Sequence, residues 1–286
     1  MFEVPNITRN LRGTMGNETI KNRFIVKKDG HLAWLIFDRP EKLNAMSSQG
    51  WRDFGAHLRD LLEDRDIRCL ILAGEGRGFL AGHDVGEMVE HVDQFASGEY
   101  TMGDLHENQK LLQETTRLIR KARFPVIAAI QGVAVGAGCE VTLACDLVVA
   151  AEGTQIGFPE VNVGVTITNG GTWLLPRKVG LARARELAYT GEFIDADEAW
   201  RIGLVNKVVP EGQLRDAAEK LARRIASRAP LPVQMHKTML DRGMESSLET
   251  MMNFETEALL VTARTRDHAE GATAFFEKRE PEFTGT

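Results

Sequence analysis

Two apolar runs, at residues 24–26 and 32–37, flank Asp29-Gly30, a dipeptide tolerant of positive φ at both turn positions, and together they predict a β-hairpin. The next apolar residues, Trp51, Phe54, Leu58, Leu61 and Leu62, recur at helical spacing and predict an amphipathic helix over 47–63, capped by Ser47. Residues 69–73 read as a short buried strand ending in the glycine-rich Gly74-Glu-Gly76-Arg-Gly78. A polar-faced helix is expected over 104–122, its end marked by Arg117, Arg120, Lys121 and Arg123, which complement a helix C-terminus. Between these, the polar stretch from Asp93 to Asp104, with Gly98 and Gly103 in it, reads as a mobile loop. Residues 125–130 and 147–151 are buried-type strands, separated by a glycine turn and a short helix.

Beyond Gly170-Gly171 the pattern turns mostly helical. Asp195 with Glu198 forms a capping-box signal, residues 204–209 make a last strand-like stretch, and helical periodicity runs through 211–228, 231–242, 246–260 and 266–277. Strands with intervening helices first and helices last predict a mixed α/β body with a helical C-terminal piece. The expected division is a loose arm over 1–21, a core over 22–200 and a helical segment over 201–286.

Composition narrows the class. An apolar share of 43% and a charged share of 27% are those of a globular protein, and a net charge of −6 argues against a general nucleic-acid binder. Cys69, Cys139 and Cys145 lack paired spacing and fit a reducing compartment. No apolar run approaches the roughly 20 residues of a membrane span, and the N-terminal stretch carries no secretory signal pattern. The expectation is a cytoplasmic protein.

The candidate chemistry lies in the middle of the chain. Glu140 ends the run Gln131-Gly-Val-Ala-Val-Gly-Ala-Gly-Cys-Glu140, and Glu160 follows Ile156-Gly-Phe-Pro. Two carboxylates in a water-poor site push each other's pKa apart, so one can serve as acid and the other as base. Ala81-Gly82-His83-Asp84 follows a strand and leads into a helix, presenting backbone N–H groups at a helix start; an ordinary aspartate N-cap is the simpler reading of that segment alone. Gly136-Ala137-Gly138 offers a second close backbone approach, or merely tight packing. A dinucleotide fingerprint there is disfavoured, because Val141 holds the third glycine position and the helix is too short. Glu87, Glu90 and His91 stand at metal-ligand spacing, but a solvated helix face explains them more simply. Serine-hydrolase elbow, P-loop and zincin motifs are absent.

Taken together, eight landmarks resemble the enoyl-CoA hydratase/isomerase (crotonase) superfamily, in that family's order, over roughly residues 22 to 283. They are Arg39-Pro40-Glu-Lys-Leu-Asn44-Ala45, Phe79-Leu-Ala-Gly-His-Asp84, Gln131-Gly through Cys145-Asp146, and Phe158-Pro-Glu160-Val-Asn-Val-Gly164. Gly170-Gly171-Thr172, Thr190-Gly-Glu-Phe-Ile-Asp-Ala, Gly203-Leu-Val205 with Val208-Val-Pro210, and Phe276-Glu-Lys-Arg279 complete the set. The resemblance implies a spiral of ββα units with a helical C-terminal segment, assembled as a homo-trimer or homo-hexamer. It also implies an acyl-CoA thioester substrate, with coenzyme A carried by the substrate and no other cofactor or metal. It places oxyanion-hole amides at His83 and Ala137, a hydratase pair at Glu140 and Glu160, and substrate contacts at Ala81, Asp84, Lys42, Thr168 and Asn169. The chain departs from the family at Thr168, where hydratases commonly carry glycine. That bulk and hydroxyl beside the reacting carbons, with Asn169, imply a functionalised, branched or cyclic acyl group in preference to a plain crotonyl group, under a lid formed by 93–104. They also leave open an acyl-CoA hydrolase or ring-opening enzyme on the same scaffold. A non-catalytic RNA-associated member is disfavoured by the intact glutamates and the acidic balance.

Overall fold

The expected hairpin opens the computed structural model, which describes residues 23–286: strand β1 (Phe24–Asp29) runs antiparallel to β2 (Leu32–Phe37). Asp29 pairs with Leu32, so the turn is Gly30-His31 rather than Asp29-Gly30, and of these residues only Gly30 takes positive φ, at 55°. The arm expected over 1–21 lies outside the described residues.

Helix α1 (Ser48–Glu63) follows, with the Ser47 side chain accepting from Gly50 N at 3.2 Å, as the cap pattern predicts. Trp51, Phe54, Leu58 and Leu61 all face the core. Strands β3 (Cys69–Gly74), β4 (Val126–Ile130), β6 (Leu147–Ala151) and β9 (Lys207–Val209) extend β2 in parallel, giving a sheet ordered β1-β2-β3-β4-β6-β9. Its central strands are covered on both faces, so they read as unbroken apolar runs instead of alternating ones. One face packs on α1 and the body of the molecule. The other receives helix α8 (Leu214–Ala226), whose buried Ala218 and Ala222 let it lie close to Ile71, Ile127 and Val149.

A smaller sheet, β5 (Val133–Val135), β7 (Gln155–Gly157) and β8 (Phe193–Ile194), lies beyond the ends of the large strands. The turns that begin with β4 and β6 each give one strand to the large sheet, a short strand to the small one, and then a helix. An isolated bridge from Leu80 to Ala134 repeats that layout one turn earlier. This is the expected spiral of ββα units. The repeating helices are α2 (Val85–Ser97), α4 (Ala137–Ala144) and the pair α5 (Gly171–Val179) and α6 (Leu181–Thr190), with α7 (Ala196–Arg201) ahead of β9. Helices α9 (Pro230–Gly243), α10 (Leu248–Thr262) and α11 (Arg266–Glu277) close the chain.

The mobile loop expected from Asp93 to Asp104 is not there. Gly98, at φ 79°, ends α2 as a left-handed cap, and Thr101 with Asp104 forms a reciprocal capping box that starts α3 (Met102–Lys121). Between them Tyr100 is buried, stacked on His91 at 4.1 Å and edge-on to Phe95 at 4.9 Å. The glycine and polar residues that signalled a loop are the punctuation between two helices, where the same residue types are required.

Candidate active site

In a parallel sheet the functional loops leave from the C-terminal ends of the strands, and the segments carrying His83, Ala137, Glu140 and Glu160 follow β3, β4 and β6. The first of these segments is held by Arg39-Pro40-Glu-Lys-Leu-Asn44. Asn44 is fully buried with φ 61°, and its Nδ2 donates to the carbonyls of Glu75, Gly78 and Phe79 at 3.0, 2.7 and 3.1 Å. Ala81 N then donates to Leu43 O at 3.0 Å, which ties half-buried Ala81 to the residue that follows exposed Lys42.

Met46 fixes the next peptide from one side: its N–H donates to Gly82 O at 2.9 Å, and its carbonyl accepts from Asp84 N at 2.8 Å. In a trans peptide the N–H points opposite to the C=O, so the His83 N–H is directed away from Met46. A Cβ added to Gly82, at φ 91°, would lie 3.2 Å from Ala137 N, so the His83 peptide adjoins the start of α4. Ala137 is the first residue of α4 and its N–H is among those a helix start leaves without an internal partner. Gly138 permits this approach; a Cβ there would meet Leu80 O at 1.9 Å. The Gly136-x-Gly138 pattern thus serves close packing of α4 on the preceding turn of the spiral.

Glu140 sits one turn into α4 and is 1% exposed. Its Oε1 accepts from Asn169 N at 2.6 Å and Gly171 N at 3.1 Å. Burial drives its pKa up to about 7; the backbone N–H of Asn169 opposes the rise and the charge of Glu160 adds to it. Glu160 lies in the 3₁₀ turn Pro159–Val163, and a Cβ on Gly136 would be 3.6 Å from its Oε1. Its Oε2 is buried with no hydrogen-bond partner among the described residues, and burial raises its pKa as well. The two carboxyls are near enough to interact, since the charge of Glu160 adds to the rise at Glu140, and burial makes each hold its proton more tightly than in water.

The remaining candidates divide. Asp84 is buried, with Oδ1 capping α2 through Gly86 N at 2.9 Å and Oδ2 paired with Arg39 Nη1 at 2.7 Å, so both its oxygens are engaged. Thr168 is exposed, and its carbonyl accepts from Gln109 and Gln113 of α3 at 3.2 and 3.0 Å. Asn169 is fully buried; its Oδ1 accepts from Thr116 Oγ1 at 2.8 Å, while Nδ2 is unpartnered among the described residues. Gln109, Gln113 and Thr116 are one face of α3, and they hold the loop that feeds N–H groups to Glu140. The sequence showed that face only as polar.

Glu87 does not lie on a solvated face as expected, because its Oε2 accepts from Ser48 N at 2.7 Å and meets His83 Nε2 at 2.9 Å. No group of three or more potential metal ligands occurs among the described residues. All three cysteines are free, buried thiols whose pKa burial pushes up, those of Cys69 and Cys145 to about 12. Cavities of about 770 and 640 Å³ lie elsewhere, beside α9, and neither glutamate lines them.

The family model described as "Enoyl-CoA hydratase/isomerase" matches residues 27–286. The chain belongs to the enoyl-CoA hydratase/isomerase family. It is 36% identical over 262 residues to a short-chain-enoyl-CoA hydratase of Clostridium acetobutylicum, covering 91% of this chain and 97% of that protein. A crotonyl-CoA hydratase of Syntrophomonas wolfei is 37% identical over 260 residues, 91% of this chain and 96% of that protein. The crystal structure of an enoyl-CoA hydratase from Bacillus anthracis superposes with a TM-score of 0.85 at 33% identity, covering 92% of this chain and 99% of that one. Membership in this family carries acyl-CoA chemistry and the crotonase fold. No helix among the described residues is long and apolar enough to cross a membrane.

Proposed function

We propose that this protein is an enoyl-CoA hydratase that adds water across the C2=C3 bond of an enoyl-CoA thioester. The observation that carries the reading is the pair Glu140 and Glu160, both with raised pKa and close enough for the charge of one to act on the other, with Glu160 beside Gly136 at the start of α4. The thioester oxygen accepts from the amides of His83 and Ala137, which polarise the double bond and stabilise the enolate; each such donor is worth about 10²–10³ in rate. Oε1 of Glu140 is committed to backbone N–H groups, so Oε2 takes a proton from water as the hydroxyl adds to C3. Glu160 delivers its proton to C2 as the enolate collapses. The cycle closes when a proton passes from Glu140 back to Glu160. These steps need no metal or redox cofactor, and coenzyme A enters with the substrate. Lys42 and Ala81 are assigned to the coenzyme and acyl portions, Asp84 to holding the His83 segment through Arg39, and Thr168 and Asn169 to the acyl end.

Crotonyl-CoA should lose its enoyl absorbance on incubation with the protein without releasing free thiol; thiol release in place of hydration would transfer the reading to a hydrolase. Glu140 acts as base only when ionised, so kcat/KM should fall on the acid side of about 7. In the acting state proposed here Glu160 is neutral, as glutamine is, and burial is the leading cause of the raised pKa of Glu140, so the acid limb of the residual activity in Glu160→Gln should stay at about 7. A limb moved to lower pH would mean that Glu160 is ionised when Glu140 acts, and would remove it as the acid.

The assembly proposed is a trimer or hexamer with threefold symmetry. Within the segment after Arg201, β9 belongs to the large sheet and α8 packs on its face, whereas α9–α11 leave apolar side chains exposed. Leu240, Leu259, Phe275 and Phe276 are 74%, 63%, 89% and 87% exposed. Burying such a surface against another copy is the simplest account of it. Light scattering should give three or six copies, and an active monomer would remove the proposal.

A further inference from the structure

The side chain of His83 takes no part in the chemistry above, yet it is tied on both sides. Trp51 Nε1 donates to His83 Nδ1 at 3.2 Å, and His83 Nε2 meets Glu87 Oε2 at 2.9 Å. An indole nitrogen only donates, so Nδ1 must be the unprotonated acceptor and the ring proton sits on Nε2, directed at the carboxylate. Glu87 is fixed in turn by the Ser48 N–H at 2.7 Å and the Ser48 hydroxyl at 3.2 Å. Burial raises the Glu87 pKa, but the hydrogen bonds from His83 and Ser48 outweigh it and hold the carboxyl below its ordinary value, so it accepts from all of them as an anion. A continuous chain of donors and acceptors thus runs from α1 through the His83 ring to α2.

The segment needs such a tie. Helix α2, which His83 precedes by two positions, has no buried residue, and Val85, Val89 and Val92 along it are 64%, 51% and 66% exposed. Apolar packing therefore does little to hold the start of α2, and polar links replace it. Asp84 with Arg39 anchors the cap, while the His83 ring joins the same segment to Trp51, which is fully buried among Phe54 and the α1 core.

We propose that the Trp51–His83–Glu87 chain is a positioning device that, together with the Met46 backbone bonds to Gly82 and Asp84, holds the His83 backbone N–H in the direction of the thioester oxygen. The proposal rests on the assignment of that amide to the oxyanion hole. His83 thereby acts twice, its backbone on the substrate and its side chain on its own backbone. Trp51 and Glu87 are positioning residues, since neither reaches the reacting atoms.

The direct readout is the carbonyl stretch of a bound, unreactive saturated thioester, butyryl-CoA carrying ¹³C at the carbonyl, measured by difference infrared spectroscopy. Wild type should lower that frequency relative to free butyryl-CoA. Trp51→Phe, Glu87→Gln and His83→Ala should each lose a large part of the lowering. Their kcat on crotonyl-CoA should fall about 10-fold with KM little changed, which is part of the 10²–10³ expected for losing a donor outright. His83→Gln, whose carboxamide can accept from Trp51 and donate to Glu87, should keep most of both. Glu87→Gln replaces a partly exposed residue by a near-isostere, so it carries the test should Trp51→Phe fail to fold. Full frequency lowering and unchanged kcat in Glu87→Gln and His83→Ala would overturn the positioning role. Wild type without any lowering would instead remove the oxyanion-hole assignment, and the proposal with it.

Discussion

Glu140→Gln should lower kcat by about 10²-fold or more with little change in KM, because the base role proposed for this residue is exercised only as the transition state is reached. The same substitution should stabilise the fold at alkaline pH. The carboxyl has a folded pKa of about 7, raised chiefly by burial from an ordinary value of 4.5. A group raised in this way favours the folded state while protonated, so its contribution is complete below the unfolded value and is lost as pH rises through about 7. Wild type carries a buried anion above that point, whereas glutamine accepts the same Asn169 and Gly171 N–H bonds without the charge. A gain on the order of 2 kcal/mol is expected near about pH 8, shrinking as pH falls toward about 5. Thermal melts of the two proteins across that range check the sign. A variant that is both inactive and less stable at every pH would mean that the carboxylate is held by its surroundings better than burial allows.

Ala137→Pro should cost about 10²–10³ in kcat while leaving the fold intact. Proline removes the N–H assigned to the oxyanion hole, and it does so at the first position of α4, where that N–H has no helical partner and proline is favoured. Gly136 stands at φ 56°, ψ −129°, the mirror image of the extended region, which is compatible with a following proline. Side-chain changes at 137 do not touch the donor, so Ala137→Gly serves as the control and should retain most activity. Equal activity in the proline variant would take Ala137 out of the hole. Circular dichroism and melting temperature establish that both variants fold.

The strands and most helices were legible because their physics is local. The Ser47 cap, the Trp51 to Leu61 spacing and the unbroken runs of β3, β4 and β6 each state their environment within a few residues. The stretch from Asp93 to Asp104 misled because helix ends and loops draw on the same residues; what separated them was the capping box at Thr101–Asp104 and the buried Tyr100. At the proposed site, the carboxylates and amides are candidates that motifs alone suggest, but the side chains that support them are not. Trp51 reads as core, Glu87 as surface, and Gln109 as one more polar position on α3. Their roles come from contacts across 32 positions for Trp51 and His83, and 59 for Gln109 and Thr168. No sequence period encodes such pairs.

The groups assigned to the proposed site come from three successive turns of the ββα spiral, His83 after β3, Ala137 and Glu140 after β4, and Glu160 after β6. Parallel neighbours cannot close as hairpins; each pairing waits for an intervening crossover to be made and packed, which places this chain among slow, high-contact-order folders. Local helices can form while the amides and carboxylates are still unconnected. During synthesis, the portion through α4 can hold both proposed oxyanion donors and Glu140, but it still lacks Glu160 and the 168–171 loop that grips Glu140. The proposed acid–base pair is thus created only with the third turn, so a truncated or partly folded chain that offers a thioester a seat would have no means of hydrating it.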